Sequence, residues 1–163
     1  MTLTIYIPGK AQPAGSKRAF PFKKANGKLG VRVSDDNPHA RSWKGDVIVA
    51  AAQAMCDAGI DTLHGPLELH VTFLRSRPAG HFNSKGQLNK KGLEEAFPAT
   101  KPDTTKLLRC LEDALTEAGV WVDDARVVTQ YVQKRWGPSD STLVRVLPAA
   151  FEVAPALKSE QGP

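Results

Sequence analysis

Cysteine is scarce in this chain of 163 residues: only Cys56 and Cys110 are present, and no C-x-x-C pair exists. Zinc ribbons and disulfide frameworks are thereby excluded. Both cysteines fall in helix-like patterns and read as buried thiols of a reducing cytosol. No stretch approaches the roughly 20 apolar residues that a bilayer span needs. The opening MTLTIYIPGK lacks the basic flank and long apolar run of a secretory signal. H-E-x-x-H is absent, and His39, His64, His70 and His81 are scattered, so none is assigned to a metal. Gly15-Ser16-Lys17 has the residues of a phosphate loop in the wrong order, with no helix pattern after it. No serine or cysteine lies in a recognisable nucleophile motif. The most informative absence is of acid. No Asp or Glu occurs from Met1 to Ser34, where Lys10, Lys17, Arg18, Lys23, Lys24, Lys28 and Arg32 all stand.

What is present is ordinary for one globular domain: 41% hydrophobic and 24% charged residues, with net charge +5. Leu3, Ile5 and Ile7 alternate with polar residues as in a half-buried strand. Asn26-Gly27 predicts a two-residue hairpin turn within residues 20–33. Asp35, Asp36, Asn37 and Pro38 form a turn cluster, and a helix is predicted over 42–57, stopped by Gly59. Leu67, Leu69, Val71 and Phe73 give a second alternating strand. Residues 76–100, polar and aperiodic, read as a long surface loop. The apolar stripe Leu107, Leu108, Leu111, Ala114, Leu115 and Ala118 predicts a helix over 104–118 ending at Gly119. A short strand 120–122 and an antiparallel pair, 126–136 with 141–147, complete the reading. Trp43, Trp121 and Trp136 read as core. With no regular βαβα alternation, the expectation is an α+β fold: one mixed sheet with two main helices packed on one face. The domain is expected to span residues 1–150, with 151–163 a weakly ordered tail.

The chemistry concentrates in Lys101-Pro102-Asp103-Thr104-Thr105-Lys106-Leu107-Leu108-Arg109, then Glu112-Asp113, then Asp123-Asp124. Pro102 disfavours helix at Lys101, so Asp103 falls at the helix N-terminus. Capping that helix is the simplest reading of Asp103. Against it, Lys106, Arg109 and Asp113 share one polar face starting beside Asp103. Asp123-Asp124 closes a segment that returns after Gly119 toward the same helix. Carboxylates from two elements with cations between them suit Mg²⁺ and phosphoryl chemistry, because magnesium takes oxygen ligands and keeps several waters.

Lys101-Pro102-Asp103, the segment Glu112-Asp113-Ala114-Leu115, and Gly119 to Val127 together resemble the RusA-type Holliday-junction endodeoxyribonucleases. Pro13 to Lys17, Trp43 and the variable loop after Arg77-Pro78 resemble the phage-encoded branch of that family. The resemblance covers about Ile5 to Trp136. It implies a homodimeric α+β enzyme that binds four-way DNA junctions and cuts two strands symmetrically with Mg²⁺, or with Mn²⁺ as substitute. It also implies a phage or prophage protein of the bacterial cytoplasm, with no membrane partner. Carried over by position, Asp103 and Asp124 match the family's metal-site aspartates. Arg109 stands where the family has an essential lysine, and Lys106 where many members carry Asn. Thr105 replaces the family's second aspartate with a neutral, weaker ligand. Either Thr105 itself ligates, or Asp123 or Asp113 compensates, or cleavage is weak.

The expected catalytic set is therefore Asp103, Asp124, Arg109 and Lys106, and the expected metal set Asp103, Asp124, Thr105 and Asp123. Lys17, Arg18, Lys23 and Lys24 of the basic arm are expected to contact DNA phosphates. Phe20 and Phe22 either stack on unpaired bases or pack on the sheet. Two competing readings stand beside the nuclease: a catalytically weak or inactive junction-binding protein of the same fold, and a scaffold domain whose acidic pairs are caps and surface charge.

Overall fold

The computed structural model describes residues 2–15, 17–35 and 37–150, and of 17–19 and 32–35 it describes the backbone alone. The expected tail, 151–163, lies outside the described residues. In chain order the elements are β1 (Leu3–Pro8), β2 (Lys17–Lys23), β3 (Leu29–Asp35), α1 (Pro38–Ala58), β4 (Leu67–Ser76), α2 (Lys90–Glu94), α3 (Thr104–Glu117), β5 (Val127–Gly137) and β6 (Ser141–Pro148). Two 3-10 turns, Ala79–His81 and Asp124–Arg126, lie between them.

A mixed four-stranded sheet, in the order β1-β6-β4-β5, carries α1 and α3 on one face, and β2 and β3 form a separate ribbon. Each alternating strand supplies one apolar row to the helix side: Leu3, Ile5 and Ile7 from β1, and Leu67, Leu69, Val71 and Phe73 from β4, all essentially inaccessible to water. Val144 and Val146 of β6 join that row. On α3, Leu107, Leu108, Leu111, Ala114 and Leu115 are buried against it. Each buried leucine contributes about 1.5–3 kcal/mol, so this stripe fixes how α3 lies on the sheet.

The expected antiparallel pairing of 126–136 with 141–147 is corrected: β5 and β6 never pair. β4 lies between them, antiparallel to β6 and parallel to β5. β4 is paired along both edges, which puts it inside the sheet with its apolar row under the helices. The link between β5 and β6 vaults the end of β4. There Asp140 accepts from the Ser76 N–H through its carboxylate, at 3.0 Å, and from the Gly9 N–H through its carbonyl, at 3.1 Å.

Four further expectations change. The helix expected at 42–57 begins at Pro38, because Pro suits a first helical position and the Asn37 side chain caps the His39 N–H; Gly59 ends it at φ 62° as expected. The hairpin turn is a three-residue loop, with Gly27 alone at positive φ: its N–H donates to Lys24 and the Lys24 N–H to Lys28. The strand expected at 120–122 shrinks to a bridge between Leu63 and Trp121, since a 3-10 turn follows almost at once. Cys56 is exposed, whereas Cys110 is buried as expected.

The segment 76–100 is also more ordered than a surface loop. The Arg77 guanidinium donates to the Gly92 carbonyl at 2.7 Å, and His81, buried, faces the Glu95 carboxylate at 3.1 Å. Trp136, only partly buried, closes this knot. Its indole N–H donates to the Glu95 carbonyl at 2.8 Å, and its ring meets His81 edge-on and Arg77 as a cation–π partner. Trp43 and Trp121 are core residues as expected.

Candidate active site

α3 starts directly after a cis Lys101–Pro102 peptide, and Asp103 occupies its N-cap position with extended backbone. The Asp103 side chain makes no capping hydrogen bond. Its nearest charged partner is the Lys106 ammonium at 3.9 Å. The simplest reading of Asp103, as a cap, therefore fails, and the carboxylate opens into a cleft. That cleft, about 470 Å³, is lined by Lys10, Gln12, Arg75, Lys101, Asp103 and Lys106 together with the 11–15 backbone and Asn37. Asn37 ties the 12–13 loop across its mouth, donating to the Pro13 carbonyl at 3.1 Å. Asp103 is the one carboxylate among four cations in this lining. Such a field raises the local concentration of a polyanion.

The turn that aims Asp103 is held from β5. The Lys134 ammonium donates to the Thr100 carbonyl at 2.6 Å and to the Pro102 carbonyl at 3.0 Å. A long cation thereby satisfies two backbone acceptors just ahead of the helix. Nothing in the local pattern around Lys134 announced this, because the contact joins residues more than thirty positions apart.

A second group forms on the β5 side of α3. Glu112, half-buried, accepts from the Gln130 amide at 2.5 Å. Burial, then the neighbouring charges of Asp124 and Asp113, push its carboxyl up to about 7, and only the Gln130 hydrogen bond opposes this. Glu112 was not among the site residues expected from the sequence. Its signal there was the Glu112-Asp113 pair and its position, seven residues and so about two turns, roughly 10.5 Å, beyond Thr105 on the same helix face.

The remaining expected residues separate. Asp124 opens the 3-10 turn and faces Glu112 electrostatically, whereas Asp123 caps that turn by accepting from the Ala125 N–H at 2.8 Å. Asp113 turns toward α1, where Lys44 lies 3.8 Å away. Thr105 and Arg109 are exposed on α3. Lys23 and Lys24 are exposed at the tip of the β2–β3 ribbon, while the side chains of Lys17 and Arg18 lie outside the described residues. Phe20 and Phe22 belong to the ribbon and not to the core: both are about half exposed, and Phe22 lies across Gly30.

Among the described residues no three His, Cys, Asp or Glu side chains converge as a ready-made metal cluster. Magnesium does not require one, since it is commonly held by one or two carboxylates with waters and substrate phosphates. Asp103, free of a capping bond, and, apart from it, the Asp124–Glu112 neighbours are all oxygen donors, the kind such an ion takes. By donor chemistry the residues fit a hard divalent cation. Among the described residues no helix is long and apolar enough to cross a membrane.

An uncharacterised protein of Bacillus subtilis (strain 168), YqaN, is 31% identical over 133 residues, covering 80% of this chain and 84% of the relative. The family model for endodeoxyribonuclease RusA matches residues 9–146, from the loop after β1 through the cleft, α3 and the sheet to the end of β6. With most of its length inside that match, the chain belongs to the RusA endodeoxyribonuclease family.

Proposed function

We propose that this protein is a metal-dependent, structure-selective endonuclease that resolves four-way DNA junctions by symmetric hydrolysis, acting as a homodimer in bacterial cytoplasm on behalf of a phage or prophage. The observation that carries the reading is the basic cleft with Asp103 uncapped at the start of α3. A capping aspartate would be structural. A carboxylate left open among Lys10, Arg75, Lys101 and Lys106 suits a site that draws in a phosphodiester and hydrolyses it.

In this reading Asp103 and Asp124 would hold Mg²⁺ or Mn²⁺, with water and substrate phosphate oxygens completing the shell, Thr105 as a neutral neighbour and Asp123 left to its cap. The ion when bound supplies an activated water and neutralises phosphate charge. The chain's own cations do the rest. Lys106, inside the cleft, and Arg109, one turn further along α3, would stabilise negative charge on the phosphoryl oxygens as a water oxygen bonds to phosphorus and the ester P–O bond breaks, the leaving oxygen taking up a proton. Arg109 offers a fork to phosphate oxygens where a lysine would offer a point charge. Lys134 keeps Asp103 aimed by fixing the turn before it. Lys17, Arg18, Lys23 and Lys24 on the ribbon bind DNA backbone outside the cleft and set affinity, not sequence preference.

The test is Asp124→Asn. It removes charge at constant shape from an exposed 3-10 turn, so cutting of a four-way junction is expected to disappear while junction binding survives. Undiminished cleavage by this variant would remove Asp124 from the mechanism. Thr105 and the lack of a preformed carboxylate trio favour the second reading, a junction-binding protein with little or no catalysis. That reading predicts tight binding without products in Mg²⁺ and Mn²⁺ alike.

A further inference from the structure

Three consecutive residues of β5 clamp one short strap. Trp136 donates to the Glu95 carbonyl, Lys134 donates to the Thr100 and Pro102 carbonyls, and between them the Arg135 guanidinium lies over the Phe97 ring, 5.2 Å from its centroid. Arg135 is itself held in place, its Nε donating to the Gln133 side chain at 2.9 Å. Within the strap the Ala99 N–H donates to the Phe97 carbonyl at 2.9 Å. Backbone and ring are thus fixed from several directions, yet Phe97 remains 57% exposed. An isolated exposed phenylalanine on a flexible loop would need no account. This one sits on an anchored strap six residues before Asp103, beside Arg135.

We infer that Phe97, backed by Arg135, is a stacking platform for an unpaired nucleobase at the branch point of the DNA, on the strap that leads into Asp103. The inference rests on the nuclease reading above and names a contact within it. The chemistry is specific to a base. A flat apolar face with a guanidinium on one side offers its other side to a π-surface, and the surrounding cations pair with flanking phosphates. Linear duplex has no unstacked base to offer, so the platform contributes only on branched DNA.

The experiment measures equilibrium binding of wild type, Phe97→Ala and Phe97→Trp to a four-way junction and to linear duplex, without divalent metal so that nothing is cut. Phe97→Ala is expected to weaken junction binding by about tenfold, in line with loss of one base–aromatic stack, and to leave duplex binding unchanged. Phe97→Trp should restore junction affinity, because a larger ring stacks at least as well. In parallel, 2-aminopurine at the branch point should change its fluorescence on binding wild type and not on binding Phe97→Ala. Equal junction affinity for wild type and Phe97→Ala, or an equal loss on both DNAs, would overturn the proposal while leaving the nuclease reading intact. A wild type with no preference for the junction would overturn both.

Discussion

Glu112→Gln should stabilise this protein, and only above acidic pH. The substitution keeps the size of the side chain and an oxygen to accept from Gln130, and it removes a charge placed beside Asp124 and Asp113. The Glu112 carboxyl is held near 7 against its ordinary 4.5. A raised acid stabilises the fold in its protonated form; that stability is fully present below 4.5 and is lost as pH rises through 7. The unscreened cost of ionisation over that interval is about 3 kcal/mol. Glu112 remains partly in contact with water, so screening reduces this to roughly 1 kcal/mol. For a chain of this size that is about 2–4 °C in midpoint. Thermal or urea unfolding of both proteins from pH 4 to pH 9 provides the assay. The curves should converge in acid, separate between 4.5 and 7 with the variant more stable, and run parallel above. A constant offset at every pH would mean that packing, not charge, is what the substitution changed, and a variant less stable at pH 8 would refute the electrostatic account.

Other consequences are shorter to state. Mg²⁺ at millimolar concentration should raise the wild-type midpoint at pH 8, as any ligand of the folded state does, and raise that of Asp124→Asn less; calorimetric scans with and without metal decide it. Lys134→Met should lower the single-turnover cleavage rate by about 10–100-fold through a misaimed Asp103, with junction affinity nearly unchanged; an equal loss of affinity would contradict a positioning role. Lys23→Ala with Lys24→Ala should reduce the slope of log affinity against log salt by about 2 if both lysines pair with phosphates. Gly92→Ala should destabilise by about 1–3 kcal/mol, because a Cβ there would meet the His81 carbonyl oxygen; denaturant titration measures it.

Much of this molecule was legible from local pattern. β1, β4 and α3 declare themselves because one face of each is buried in a contiguous core, so burial writes a period of two or 3.6 into the chain. Gly59 and Gly119 are readable because the backbone at both adopts positive φ. The strand order was not legible. β5 and β6 are neighbours in sequence with a short link, and only the burial of β4 between them decides against pairing them directly. The 76–100 segment escaped for a related reason: its order comes from Arg77, His81 and Trp136 meeting across the fold, and no periodicity records that.

The site divides in the same way. Asp103, Lys106 and Asp124 stood out as residues in a spaced motif, and the absence of a capping bond at Asp103 then removed its simplest structural reading. Glu112 was noticed only as half of the Glu112-Asp113 pair and given no role, and Lys134 did not stand out. Each acts through a partner brought by β5, Gln130 to Glu112 and the 100–102 carbonyls to Lys134, and such partners exist only once the helix lies on the sheet. Thr105 remains the place where this chain departs most from the pattern it resembles.

The central claim is most directly tested by incubating the purified protein with an end-labelled four-way junction, with and without Mg²⁺. Paired, symmetric nicks that appear only with metal are the predicted result, and they would show that the site works with Thr105 in place. Junction bound tightly and left whole, in Mg²⁺ and in Mn²⁺, would contradict it.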